Sequence, residues 1–136
     1  MNFKFNKLSG TRRDRNVKSI EIKANSTILS VKKDKDKRIG EYLLVNFKYT
    51  VEYAPEVGEI YLEGFLWYQH PKLDSVATDL KDKFELKNEA IKEISNSVIQ
   101  ESIVEALDIS RKLQLPAPIQ LPTVSVKPEK MKFTKA

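Results

Sequence analysis

Between residues 42 and 53 apolar and polar side chains alternate. Leu43, Val45, Phe47, Tyr49, Val51 and Tyr53 share one face, and Asn46, Lys48, Thr50 and Glu52 share the other. Alternation of this length predicts a β-strand with one buried and one wetter face. Ala54-Pro-Glu-Val-Gly58 then supplies a turn. A second strand is predicted over 59–68, with Ile60, Leu62, Leu66 and Tyr68 on one side. Its other side carries Tyr61, Phe65 and Trp67 together with Glu59 and Glu63. An antiparallel sheet covered on one face does not need large side chains on both. The extra aromatic face is therefore expected either to meet a partner or ligand, or to be covered by the crossover 69–88.

Upstream, Phe3-Lys-Phe5 is a short alternation that runs into the basic, turn-rich stretch Leu8–Arg15, an edge strand with a loop or a loose segment. Ile20, Ile22 and Ala24 share one phase, and Leu29 and Val31 take the other. A phase change within a strand predicts a bulge or bend. The charge run Lys32–Gly40 reads as an exposed hairpin loop. Within 69–88 a short helical turn is expected near Leu73–Leu80.

The longest periodic stretch is Glu89–Leu113. On a helical wheel at ~100° per residue its apolar positions, from Ile91 and Ile94 to Ile109 and Leu113, spread over roughly 220°. A surface helix usually carries a stripe nearer ~100° wide. The excess predicts that this helix touches two surfaces, its own sheet and a second helix from another subunit. Ile91, Ser95, Val98, Ser102 and Ile109 are the candidate contact positions for a homo-oligomer, and the competing reading is a core helix of a monomer. Asn88 is the expected N-cap, and Arg111 and Lys112 suit the negative end of the helix dipole. Pro116, Pro118 and Pro122 end the helix and force an extended exit, Leu115–Val124.

Composition narrows the picture. A chain of 136 residues fits one domain. No run approaches ~18 apolar residues, and the N-terminus lacks an apolar signal core, so no membrane insertion and a cytoplasmic location are expected. Without cysteine there are no disulfides and no thiol chemistry, and one histidine, His70, cannot build a multi-histidine zinc site. The net charge of +5 is unevenly spread. Residues 1–23 hold seven Lys/Arg against two Asp/Glu, whereas 42–126 hold eight against thirteen. The basic excess therefore sits in the ends and the 32–38 loop. Residues 1–16 read as a basic N-terminal segment, 17–126 as one domain and 127–136 as a flexible basic tail.

Catalytic motifs are not evident. The four glycines are scattered, so no phosphate-binding loop exists, and no serine signature accompanies His70. Glu59 and Glu63 share a strand face with Tyr61 between them. A binding protein without metal or cofactor is expected rather than an enzyme, and a small enzyme with an acidic site ranks last. The alternative to polypeptide binding is nucleic-acid binding, with Arg12, Arg13, Arg15, Lys18 and the 32–38 loop on phosphates.

The order of elements adds a resemblance. Two aromatic-rich strands, Val45–Tyr53 and Ile60–Leu66, precede a crossover, a long helix containing Ser97-Val-Ile-Gln-Glu-Ser-Ile-Val-Glu-Ala-Leu107, and the exit Leu115-Pro-Ala-Pro-Ile-Gln-Leu-Pro-Thr-Val124. This resembles the SecB export-chaperone family as a remote homologue, over about 17–126 in element order. The resemblance implies an α+β fold, a four-stranded antiparallel sheet packed by the long C-terminal helix, in dimers or tetramers. It implies ATP-independent holding of unfolded or extended polypeptide clients in a hydrophobic groove, without cofactor. Tyr61, Phe65, Trp67, Ile119 and Leu121 would line that groove. Bacterial members of the family are acidic overall, whereas this chain is basic at its ends, and their tail that docks on the export motor is not recognisable in Lys127–Ala136.

Overall fold

The computed structural model describes residues 2–80, 83–118 and 130–134. Four strands, β1 (Asn2–Arg12), β2 (Glu21–Asp36), β3 (Gly40–Ala54) and β4 (Gly58–Tyr68), form one antiparallel sheet in the order β1-β4-β3-β2. The fourth strand returns beside the first, a Greek-key arrangement. A short helix α1 (Leu73–Val76) leads to a second sheet of β5 (Ala77–Asp79), β6 (Lys83–Lys87) and β7 (Lys130–Thr134), ordered β5-β6-β7. Between β6 and β7 runs the long helix α2 (Asn88–Lys112). The fold is α+β, as the sequence predicts, with an additional small sheet.

The alternation in 42–53 becomes the alternation of burial. Leu43, Val45, Phe47, Tyr49, Val51 and Tyr53 are fully buried against α2 and the second sheet, as are Leu62, Leu66 and Tyr68 of β4. Two apolar clusters fill this side. One joins Phe47, Leu66 and Tyr68 to Leu73, Val76, Phe84, Leu86 and the N-terminal half of α2, including Ile91, Ile94 and Val98. The other joins Tyr49, Tyr53, Ile60 and Leu62 to Ala106 and Leu115. Phe3 and Phe5 of β1 close the first cluster edge-on against Phe47, at 6.0 and 5.8 Å between ring centroids.

Several expectations change here. Residues 1–16 are not separate from the domain, because β1 pairs with β4 along its length. The charge run 32–38 is not a loop: β2 continues to Asp36 and only residues 37–39 turn, with Gly40 at φ +83°, a conformation glycine adopts freely. The phase change in β2 is a bulge between Ile28 and Ser30. Residues 127–136 are not simply a tail, since Lys130–Thr134 pairs with β6. Asn88 is the first helical residue and Lys87 the N-cap.

The width of the apolar arc on α2 also has an internal explanation. At its N-terminal half the second surface is the chain's own second sheet, whose Phe84 and Leu86 pack in the same cluster as Ala90, Ile91 and Ile94. At the C-terminal half no such cover exists among the described residues, and Val104 and Leu107 stay 63% and 39% exposed.

The exit of α2 is tied down locally. Gln114 takes the left-handed conformation at φ +56°, its N–H donates to the Arg111 carbonyl at 3.2 Å, and the Leu115 N–H donates to the Ser110 carbonyl at 2.9 Å. This is the Schellman arrangement, and Leu115 completes it by entering the second cluster. The Arg12 guanidinium donates to the Leu113 and Gln114 carbonyls at 3.1 and 2.8 Å, and the Tyr53 hydroxyl donates to the Pro116 carbonyl at 2.7 Å. Helix exit, edge strand and central strand are thereby locked together.

Candidate functional site

The face of the four-stranded sheet turned away from α2 is built from the alternate positions of the same strands. Strand register sets its rows. Asn2, Trp67, Leu44 and Lys32 lie in one row, and Lys4, Phe65, Asn46 and Ser30 in the next. Lys7, Glu63, Lys48 and Thr27 follow, then Ser9, Tyr61, Thr50 and Asn25. Tyr42 extends the apolar end diagonally, stacking on Trp67 at 4.5 Å between ring centroids and 23° between planes. Tyr42, Leu44, Phe65 and Trp67 therefore form one compact apolar patch at one end of the face. None of them belongs to either apolar cluster under the helix.

The other end is polar. The Tyr61 hydroxyl donates to Glu63 Oε2 at 2.9 Å, which raises the pKa of the phenol. Lys7 Nζ lies over the Tyr61 ring, 5.1 Å from its centroid. Glu59 accepts from Arg13 at 2.7 Å.

Of the predicted groove residues, the structure brings Phe65 and Trp67 together and places Tyr61 in the polar half of the same face. Ile119 and Leu121 lie outside the described residues. The segment that leads to them, through Leu115, leaves on the helix side of the sheet. Among its described residues the crossover 69–88 does not cover the aromatic face. Its Leu73, Val76, Phe84 and Leu86 pack under the helix instead. Sequence reading missed Tyr42 and Leu44, although the signal was present. These are the two positions where the wet face of β3 turns apolar before reverting to Asn46, Lys48, Thr50 and Glu52.

The five helix positions expected at a subunit contact are placed differently. Ile91, Ser95, Val98 and Ser102 are buried within the chain, and Ile109 is half-buried, reaching toward Gly10 of β1. Geometry explains this: they line the stripe that faces the chain's own sheet. The apolar side chains that α2 leaves exposed are Val104 and Leu107, on the far side of the helix.

Five of the basic residues considered for phosphate contact are engaged within the chain. Arg12 holds the helix exit. Arg13 pairs with Glu59, which raises the guanidinium pKa, and Arg15 pairs with Glu56. Lys33 bridges Asp74 and Glu41 at 2.9 and 3.0 Å, with its pKa raised chiefly by Asp74 and then Glu41. Arg38 lies 3.7 Å from Asp36.

His70 accepts the Lys72 N–H at Nδ1, 2.9 Å away, and its Nε2 lies 3.5 Å from Glu89. It borders a cleft with Ile39, Glu41, Leu73, Asp74 and Ser75. Among the described residues no group of three or more His, Asp or Glu side chains converges to hold a metal ion. No described helix is long and apolar enough to cross a membrane. Comparison with family models, curated proteins and solved structures gives no match for this chain. The resemblance to the SecB family therefore rests on its residues and the order of its elements.

Proposed function

We propose that this protein holds unfolded or extended polypeptide on the apolar end of its open sheet face, without ATP, as a SecB-like chaperone. The observation that carries the reading is the patch of Tyr42, Leu44, Phe65 and Trp67 on the sheet face turned away from both apolar clusters. An extended client presents an apolar side chain at every second residue. Laying such a strand across the patch removes apolar surface from water on both partners, at ~25 cal/mol per Å². The contact selects for apolar content rather than sequence, and the lysines at positions 4, 7, 32 and 48 flanking it favour clients with acidic neighbours.

Assembly into a homo-oligomer belongs to the same proposal, through other surfaces than those expected from sequence. β1 is an edge strand with Leu8 49% exposed, and α2 offers Val104 and Leu107. An unpaired edge beside exposed apolar side chains suits a second copy of the chain.

The test is suppression of aggregation. An aggregating client should scatter less light when equimolar protein is present. Phe65→Ser with Trp67→Ser should abolish the suppression while thermal unfolding stays cooperative. Equal suppression by the double variant would remove the patch from the mechanism, and none by the unaltered protein would remove the function.

A further inference from the structure

Strand β7 reaches its place only after the chain has left α2 and the exit segment. It pairs with β6 in antiparallel register, Phe84 opposite Phe133 and Leu86 opposite Met131. It also runs beside β2 and touches α2, so it fills the space between β6 and the edge of the large sheet. Phe133 is half-buried and packs on the cluster of Phe84, Leu86, Ala90, Ile91 and Ile94. Remove β7 and a strand-shaped slot remains. One wall is the backbone edge of β6, and the floor is the apolar cluster that Phe133 touches.

Such a slot binds by strand addition: main-chain hydrogen bonds give affinity, and one anchored side chain sets register. The occupant is only five residues long and is the outermost strand of its sheet. Its sequence, Lys-Met-Lys-Phe-Thr, alternates basic and apolar residues as a strand ligand does. The register sets Lys132 opposite Glu85.

We infer that the β6 edge and the Phe133 slot form a peptide-accepting site, filled in cis by Lys130–Thr134, and that an extended segment of another polypeptide with the same apolar–basic–aromatic order replaces it. The cis strand is a built-in competitor. A tethered segment acts at an effective concentration on the order of mM, so a free ligand gains access mainly when the tail is loosened. The site lies on the helix side of the sheet, opposite Trp67, and the inference stands apart from the open-face patch.

The experiment uses a fluorescent peptide with the sequence of residues 128–136 and the full-length protein. Phe133→Ser in the protein should tighten peptide binding at least tenfold relative to the unaltered chain, and a peptide with serine in place of its phenylalanine should bind neither. In the unaltered chain, saturating peptide should move the Phe133 ring resonances to those of an exposed ring. Equal affinity for both proteins, no binding to a cooperatively folded Phe133→Ser chain, or Phe133 resonances unmoved at saturation would overturn the inference. Should the variant fail to fold, the ring resonances of the unaltered chain decide.

Discussion

Tyr42 and Trp67 stack on the outer face of the sheet, away from both apolar clusters, with their ring centroids 4.5 Å apart. Stacked aromatic pairs gain ~0.5–1.5 kcal/mol beyond their buried area. Tyr42 is only 6% exposed, with the Trp67 ring lying on one side of it. The indole is thus held in one orientation beside Leu44 and Phe65, and a preorganised apolar surface loses less entropy when a chain settles on it.

Gln114 offers a clean test of the helix exit. It is exposed and left-handed, a conformation that costs a side-chain-bearing residue about 1 kcal/mol. Gln114→Gly should raise stability by about 0.5–1 kcal/mol in urea unfolding, with an unchanged slope. A loss of stability would mean that the Schellman exit is not formed as described.

Much of this architecture was legible in the sequence, for a physical reason. Alternation in 42–53 and 59–68 reports a sheet buried on one side, and that signal is local. The bulge near Leu29 was visible as a phase change for the same reason. What escaped depends on distant partners. The alternation in Lys130–Thr134 is too short to mark a strand by itself, and its pairing with β6 lies across the whole of α2. Likewise, the apolar arc of α2 is too wide for one sheet, but sequence does not say that Phe84 and Leu86, rather than another subunit, meet Ile94. The open-face patch was half legible: Phe65 and Trp67 stood out, while Tyr42 and Leu44 were hidden beside a cleaner alternation.

Buried tyrosines give the fold an alkaline limit. Burial, with some help from Tyr49, pushes the Tyr53 phenol up to about 12. Burial raises Tyr49, and burial with the nearby Glu93 charge raises Tyr68. An unfolded tyrosine loses its proton near 10, so above that pH the unfolded chain binds fewer protons than the folded one. Stability contributed by these groups is complete below about pH 10 and is lost as pH rises toward 12, by about 1.4 kcal/mol per pH unit for each retained proton. Urea midpoints measured from pH 9 to 11 should fall, and Tyr53→Phe should make the fall shallower. A flat profile would contradict the burial of these phenols.

The exposed apolar residues of α2 predict how the chain assembles. Val104→Glu with Leu107→Glu should lower the molar mass in solution while leaving the cooperative unfolding of the chain intact, since neither side chain is buried within it. An unaltered chain that is monomeric at high concentration, or variants with unchanged molar mass, would take this face out of any interface.

Trp67 is the sole tryptophan of the chain, so its fluorescence reports directly on the proposed surface. Titration with a reduced, permanently unfolded polypeptide is the most direct test of that surface. The emission should shift to shorter wavelength and saturate as the client covers the indole, and Phe65→Ser should weaken the apparent affinity. An emission maximum that does not move, under conditions where the protein demonstrably retains the client, would contradict the claim that clients rest on the open face.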